Sequence, residues 1–169
     1  MAGPRGDERA WIRGALAGKA SDFEALFRTY WPSAYRAAYL VVHDSAAAED
    51  IAQEAFLAAV RNLDRFDRRR PFGPWLHRIV VNRAIDWSRR RRLLGEVELH
   101  EAPAKPGEPG VGSDTVAALQ RLSPEHRAVI VLRHLLGYTP GQIARMLDLP
   151  RGTVNSRLRR GLDELKEQL

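Results

Sequence analysis

Four side chains between positions 50 and 57 have the types and the spacing of a protein-binding surface. They recur at i, i+3, i+4 and i+7 and so share one helix face: Asp50, Gln53, Glu54 and Leu57. Carboxylates and an amide around a single leucine can pair with both cations and apolar groups of a partner. An ordinary solvated helix face is the alternative interpretation, because polar stripes are typical of such faces.

A loop that follows this stripe combines aromatic rings with arginines. Phe66, Phe72 and Trp75 stand among Arg65, Arg68, Arg69 and Arg70. Aromatic rings can hold unpaired bases by stacking, at about 1–3 kcal/mol per base, while cations follow the phosphate backbone. Core packing of Phe72 and Trp75 is the alternative interpretation of the same residues.

The last predicted helix carries leucines on one face and DNA-binding side-chain types on the other. Its outward residues are Arg151, Thr153, Asn155, Ser156, Arg157, Arg159 and Arg160. Arginine forks fit guanine edges, asparagine fits adenine, and hydroxyls and further arginines hold phosphates. The preceding short helix begins with Thr139-Pro140-Gly141-Gln142, the pattern of a capping box with proline at the first helical position. This spacing favours a helix-turn-helix over an ordinary basic amphipathic helix.

The pattern of a catalytic or metal centre is absent from the sequence. The five histidines lack metal-ligand spacing, and the chain contains no cysteine. Neither a Gly-rich phosphate loop nor a nucleophile elbow is present. We therefore expect no enzyme, no metal and no cofactor.

Helices must position all three groups of residues, and their periodicity predicts an all-α fold. In the first lobe, helices are predicted to begin near Ser21, Pro32, Asp44 and Pro74, and the third is expected to bury Val60. In the second lobe, helices are predicted over 115–122, 124–136, 140–147 and 151–168. The expected architecture is two small helical domains, at 21–93 and 115–169, the second a helix-turn-helix domain. An N-terminal tail, 1–20, precedes them, and a flexible Pro/Gly-rich linker, 94–114, joins them.

Charge separates the same segments. Residues 1–93 carry 17 Lys and Arg against 11 Asp and Glu, residues 94–114 carry 1 against 5, and residues 115–169 carry 9 against 5. Two basic lobes joined by an acidic linker favour polyanion binding at both ends, although a basic soluble surface has the same composition. With no hydrophobic signal segment and no apolar run long enough to span a bilayer, we expect a cytoplasmic protein without membrane insertion.

Several blocks of the chain resemble, in order, an RNA polymerase sigma factor of the two-domain, extracytoplasmic-function group. Conserved region two of that family is resembled by Phe23–Phe27, Ala48–Phe56, Trp75–Asn82 and Asp86 with the arginines after it. Region four is resembled by Leu122–Arg127 and Gly152–Arg160. The N-terminal tail and the linker lie outside the resemblance.

The resemblance implies a bacterial transcription initiation factor that binds core RNA polymerase, directs it to specific promoters and assists promoter melting. Core polymerase would be bound by Asp50, Gln53, Glu54 and Leu57. The minus-ten DNA would be bound by Phe66, Arg68, Phe72, Trp75, Asn82, Arg89 and Arg90. The helix from Arg151 would read the minus-thirty-five element with the seven outward residues named above. The family also implies an anti-sigma factor as a partner.

The chain departs from the family pattern at two places, and two other functions remain open. Gln142 stands where many relatives have a glutamate, and Pro150 replaces a small polar cap before the last helix. A stand-alone helix-turn-helix regulator is the main alternative, which would explain residues 115–169 but leave the first lobe without a role. A metal-dependent nucleic-acid-processing enzyme is the second, and it would need ligands beside Asp50 and Glu54 that the sequence does not offer.

Overall fold

The computed structural model describes residues 5–95 and 112–169, and all regular elements in these two ranges are helices. The first lobe contains α1 (Arg5–Leu16), α2 (Ala20–Val42), α3 (Ser45–Arg61), a short 3-10 turn (Leu63–Arg65) and α4 (Phe72–Leu93). The second contains α5 (Ser113–Arg121), α6 (Pro124–Ile130), a π-helical turn (Val131–Leu135), α7 (Pro140–Leu147) and α8 (Arg151–Gln168). Most of the predicted linker, 96–111, lies outside the described residues. Among the helices described, none is long and apolar enough to cross a lipid bilayer.

The predicted N-terminal tail contains a helix that packs into the first lobe. Ile12 of α1 is buried, and so is the carboxylate of Glu8. That carboxylate accepts hydrogen bonds from the Tyr30 hydroxyl and, at 3.4 Å, from the backbone N–H of Phe72. Phe72 is the first residue of α4, so Glu8 satisfies one of the amide donors that a helix start leaves without an intrahelical partner. This contact explains why α4 begins at Phe72, two residues before the predicted start at Pro74.

The two helices predicted on either side of Pro32 form one continuous helix, α2. Proline cannot donate a hydrogen bond inside a helix, and its ring crowds the preceding turn. Pro32 is exposed, and the neighbouring Ser33 hydroxyl donates to the Tyr30 carbonyl at 3.0 Å. The helix continues because its buried face on either side of the proline, from Leu26 to Val42, packs against α3 and α4.

The core of the first lobe is built largely from small side chains where α2, α3 and α4 meet. Fully buried alanines on all three helices bring the backbones close together: Ala34, Ala37 and Ala38 on α2, Ala48, Ala52 and Ala55 on α3, and Ala84 on α4. Val60 is an exception to the predicted core, because 43% of its surface is exposed near the end of α3. The buried alanines fix which side of α3 faces solvent.

Side-chain caps mark the helix starts of the second lobe. The Thr139 hydroxyl accepts from the Gln142 amide N–H, and the Gln142 side chain accepts from the Thr139 N–H, which completes the predicted capping box of α7. Ser123 caps α6 with one bond, in which its hydroxyl accepts from the His126 amide N–H at 3.2 Å. The helix predicted over 124–136 differs from the structure in its last part, where Val131–Leu135 form a π-helical turn that ends before Gly137.

Candidate nucleic-acid and protein-binding surfaces

The predicted protein-binding stripe lies on the outer face of α3. Its four members, Asp50, Gln53, Glu54 and Leu57, are all exposed. Leu57 leaves 54% of its surface exposed. A single exposed leucine is common on protein surfaces, so it supports a docking role only together with the polar side chains beside it. The face opposite the stripe is buried against α2 and α4, so the stripe has the orientation that a docking role requires.

A groove between α3 and α4 runs beside this stripe. Asp50 and Glu54 line one wall, and Asn82, Arg83, Asp86 and Arg90 line the other. Glu54 accepts a hydrogen bond from the Arg83 guanidinium at 3.1 Å across the groove. Both partners are well exposed, so this pair adds little to the stability of the fold. The groove therefore presents side chains of both charge signs that a partner can reach.

The aromatic rings of the loop form a cluster that is mostly inside the protein. Phe66 lies 4.8 Å from Trp75 and 5.9 Å from Phe72 between ring centroids, and both phenylalanines are buried. The prediction that Phe66 and Phe72 stack on DNA bases is corrected by this packing, because a buried ring offers no face to a base. Trp75 is only partly buried, so part of its surface remains accessible. The two phenylalanines thus support Trp75 from beneath.

Arginines surround this cluster on the protein surface. Arg68 is exposed, and so are Arg69 and Arg70. Asp67 accepts hydrogen bonds from Arg69 at 3.0 and 3.2 Å and pairs with Arg70 at 3.7 Å. The loop therefore holds two of its cations against its own carboxylate, whereas Arg68 lies outside this arrangement.

The arginines at the end of α4 differ in their surroundings. Arg89 and Arg90 are exposed, as a phosphate-binding role requires. Arg91 pairs with Asp44 at 3.3 Å, and its guanidinium lies over the Trp87 ring at 4.7 Å from the centroid. Arg91 thus joins the start of α3 to the end of α4.

The helix-turn-helix geometry places the predicted base-reading face of α8 in solvent. Asp148 ends α7 in the left-handed conformation, at φ 53°, and the chain turns directly into α8. Val154, Leu158 and Leu165 are buried on the inner side. The outward residues are exposed or partly exposed: Arg151, Thr153, Asn155, Ser156, Arg157, Arg159 and Arg160. No side-chain cap is formed at Pro150, so the first amides of α8 are left for other partners.

The two lobes pack against each other along α2 and α4, and His77 of α4 lies in this contact. His77 Nε2 lies 2.8 Å from the Ser33 hydroxyl, and Nδ1 lies 2.6 Å from the Tyr138 hydroxyl of the second lobe. The Ser33 hydroxyl already donates to the Tyr30 carbonyl, so it accepts from Nε2–H, and the Tyr138 hydroxyl donates to Nδ1. Burial lowers the pKa of His77 to about 4, which keeps the ring neutral in this network.

Further polar side chains complete the contact between the lobes. Asn82 Nδ2 donates to the Met146 carbonyl at 3.2 Å, and Arg89 Nε donates to Glu125 at 2.7 Å. Arg127 of α6 is completely buried. Burial, together with the positive charge of Arg127, lowers the pKa of His43 to about 3.

Sequence reasoning missed Glu8, His77 and Tyr138. One signal was available for His77, because it falls on the apolar stripe of α4 with Val80, Val81 and Ala84 at helical spacing. Glu8 and Tyr138 carry no comparable local signal, since their partners lie more than twenty residues away along the chain.

Metal-binding side chains do not converge in groups of three or more anywhere within 5–95 and 112–169. Asp50 and Glu54 are exposed, and the other wall of their groove carries Arg83 and Arg90. Two guanidinium groups would repel a divalent cation, so this groove does not fit a metal site.

Comparisons with known proteins identify both lobes. Residues 26–93 match the model of Sigma-70 region 2, and residues 118–167 match the model of Sigma-70, region 4. These two matches define the class of protein, a transcription factor with both a region-two and a region-four lobe. They do not favour a stand-alone helix-turn-helix regulator, which would leave the region-two match unexplained.

Whole-chain relatives narrow this class. The chain is 30% identical to the ECF RNA polymerase sigma factor SigW of Bacillus subtilis, over 94% of each chain. It is 34% identical to the ECF sigma factor SigM of Mycobacterium tuberculosis, over 91% of this chain and 80% of that protein. The chain belongs to the ECF RNA polymerase sigma factors, which makes it a transcription initiation factor that directs RNA polymerase.

Solved structures share the same all-α fold. CnrH, solved in complex with the cytosolic domain of CnrY, matches with a TM-score of 0.69 and 25% identity, over 95% of this chain and 96% of that chain. The sigma factor RpoE of Bartonella quintana, solved with the anti-sigma factor NepR, matches with a TM-score of 0.74 and 24% identity. The match covers 87% of this chain and 96% of that chain. The likeness to RpoE concerns the fold alone.

Proposed function

We propose that the outer face of α3 binds core RNA polymerase. The observation that carries this proposal is the exposure of Asp50, Gln53, Glu54 and Leu57 as one patch within the segment that matches region two. The carboxylates supply attraction to cations of the partner, and Leu57 supplies apolar area at one end of the patch. The neighbouring groove between α3 and α4 extends this surface.

In this proposal the melted minus-ten strand binds to the surface formed by Trp75, Arg68, Asn82, Arg89 and Arg90. Trp75 provides the stacking surface, and Phe66 and Phe72 hold its ring in place from inside the lobe. Arg68 and Arg90 are exposed and available for phosphates. Asn82 and Arg89 belong to the same surface, and both are engaged by the second lobe in this structure.

The exposed face of α8 reads the minus-thirty-five element in the major groove. Arg151 and Asn155 are the side-chain types that pair with guanine and adenine edges, and both are exposed near the start of the helix. Arg159 and Arg160 lie farther along the helix, where phosphates of the backbone pass.

The chain contributes positioning and strand capture rather than catalysis, and it acts in the cytoplasm with the polymerase. We also propose an anti-sigma factor as a partner. Support comes from the RpoE structure, which is a complex of a sigma factor with an anti-sigma factor. The proposed surfaces are the ones that such a partner would need to cover.

Reconstitution with core enzyme tests the proposal. Run-off transcription on a genomic template pool should yield promoter-specific products only when the chain is added. The double change Asp50→Arg/Glu54→Arg should weaken co-purification with core polymerase at least about tenfold, because like charges at an interface are repulsive. Circular dichroism should remain unchanged, since both side chains are exposed.

A matched control uses the other exposed acidic pair with the same spacing. Asp163→Arg/Glu167→Arg introduces the same charge change on α8, away from the α3 stripe. This control should keep core binding. Equal co-purification of both double variants with core would show that the α3 stripe is not the docking surface.

A further inference from the structure

The N-terminal helix α1 packs beside the loop that precedes α4. The match to region two begins at residue 26, within α2, so it does not include α1. Helix α1 contacts the 3-10 turn Leu63–Arg65, which leads into the loop. Its residue Glu8 contacts Phe72, the first residue of α4 after the loop. One helix therefore touches both ends of the segment that leads to Trp75.

Two hydrogen bonds hold the Glu8 carboxylate in the interior of the first lobe. Glu8 is only 7% exposed, and it accepts from the Tyr30 hydroxyl and, at 3.4 Å, from the backbone N–H of Phe72. Burial, together with the adjacent carboxylate, raises the pKa of Tyr30, so its hydroxyl keeps the proton that it donates. Removal of the carboxylate would leave both donors without their acceptor inside the protein, which is costly for buried polar groups.

The same contacts hold the first turn of α4, which carries Trp75. The Tyr30 ring packs on the Phe72 ring at 5.3 Å between centroids. It also lies close to the next residue, because a Cβ added at Gly73 would come within 2.9 Å of the Tyr30 ring. Phe72 in turn contacts the Trp75 ring at 5.8 Å between centroids. A continuous path of buried and half-buried side chains therefore joins Glu8 to Trp75.

We propose that α1 is a positioning element for strand capture and that Glu8 is the residue through which it acts. Glu8 is buried and does not itself touch DNA. It fixes the first turn of α4 and thereby the orientation in which the Trp75 ring meets an unpaired base. Binding side chains work best when hydrogen bonds and packing behind them hold them in place, and Glu8 supplies those hydrogen bonds here. This proposal rests on the proposed function of Trp75.

Three variants separate this role from a general effect of charge. Glu8→Ala removes the acceptor of both hydrogen bonds. Asp7→Ala is the matched control, because it removes a carboxylate from the neighbouring, exposed position of α1. Glu8→Gln keeps one carbonyl oxygen in a side chain of nearly the same size, so it should restore part of what alanine loses. Far-UV circular dichroism checks that each variant is folded, and Glu8→Gln replaces Glu8→Ala in both measurements below if the alanine variant is not.

Fluorine NMR of the full chain labelled with fluorotryptophan reports on Trp75 directly. Single changes to phenylalanine assign the resonances of the four tryptophans, Trp11, Trp31, Trp75 and Trp87. Glu8→Ala should shift or broaden the Trp75 resonance and leave that of Trp87 unchanged, because Trp87 lies farther along α4, against the Arg91 guanidinium. A general loss of stability would affect both resonances. Asp7→Ala should leave both as they are in wild type.

Permanganate reactivity of unpaired thymines, measured with core enzyme on a promoter identified by run-off transcription, reports on strand capture. Glu8→Ala should lower promoter opening about fivefold, a smaller loss than that expected for Trp75→Ala, because the ring is misplaced rather than removed. Glu8→Gln should lie between Glu8→Ala and wild type, and Asp7→Ala should match wild type. Co-purification with core polymerase should be the same for all three variants, since none of them changes the exposed stripe of α3.

Two results would overturn the proposal. If the Trp75 resonance is the same in Glu8→Ala and wild type, or if the Trp87 resonance changes as much, Glu8 does not position Trp75. If the Trp75 resonance moves but promoter opening equals that of Asp7→Ala, the orientation of the ring does not control strand capture. Failure of the proposed function is read separately, as normal promoter opening by Trp75→Ala.

Discussion

Acidification is expected to destabilise this protein through two buried histidines. Burial lowers the pKa of His77 to about 4, and burial with nearby Arg127 lowers that of His43 to about 3, from an ordinary value of 6.5. Between these values the unfolded chain binds protons that the folded chain does not. The free energy of unfolding is therefore highest, as far as these two histidines are concerned, above pH 6.5. It decreases as the pH falls toward their folded-state pKa values.

The size of the effect follows from the same values. A pH of about 5 lies about 1.5 units below the pKa of each histidine in the unfolded chain. This difference corresponds to about 2 kcal/mol of lost stability per histidine. The two histidines together give about 4 kcal/mol, a large part of the roughly 5–15 kcal/mol by which domains are stable. Both side chains are at least 95% buried, so solvent screening reduces this value little.

Urea unfolding of His77→Gln and wild type, at a pH of about 7 and of about 5, isolates the contribution of His77. The variant should be less stable than wild type near neutrality, because the hydrogen bonds to Ser33 and Tyr138 change. Its loss of stability on acidification should be smaller than that of wild type by about 2 kcal/mol. His134→Gln is the control, because His134 is exposed. Equal losses for His77→Gln and wild type, or an NMR titration of His77 centred near 6.5, would refute the argument.

Three further changes test individual contacts. Thr139→Ala removes the capping box of α7 and should cost about 1 kcal/mol in urea unfolding, and an unchanged midpoint would contradict the capping role. Gly73→Ala places a Cβ 2.9 Å from the Tyr30 ring and should cost about 1–3 kcal/mol, whereas Gly141→Ala meets no atom within 4 Å and should be neutral or stabilising by up to about 1 kcal/mol. Similar losses for both glycines would count against a steric cause. Trp75→Ala should reduce promoter opening, followed by permanganate reactivity of unpaired thymines, roughly tenfold or more, and Trp75→Phe should restore part of it. Normal opening with alanine would exclude stacking on this ring.

The predicted helix starts agree best with the structure where a local signal marks them. Asp44 caps α3 by accepting from the Ala47 amide, and Thr139 and Ser123 cap α7 and α6. Each cap lies within three residues of the amide it satisfies, so the sequence contains the whole interaction. The predicted break at Pro32 was wrong because the packing of α2 outweighs the cost of one proline.

Among the candidate surfaces, too, some features follow from local sequence and others depend on tertiary packing. The outward faces of α3 and α8 follow from helical periodicity, since residues that do not fit the apolar stripe must face away from the core. The burial of Phe66 and Phe72 does not follow from their spacing, because it depends on packing between helices, such as the contact of the Phe72 ring with Tyr30 of α2 at 5.3 Å between centroids.

The sequence by itself determined that the chain is helical and which faces of α3 and α8 meet solvent, because these properties depend on contacts between residues a few positions apart. Its motifs also resembled region two and region four of the family, which the family models match. Only the tertiary structure decided that Trp75 and not its neighbouring phenylalanines remains accessible, and that the second lobe occupies Asn82 and Arg89. The contacts that engage these two side chains join residues 36 and 64 positions apart, Arg89 with Glu125 and Asn82 with Met146. Local periodicity cannot encode such pairs, because their proximity depends on how whole helices pack.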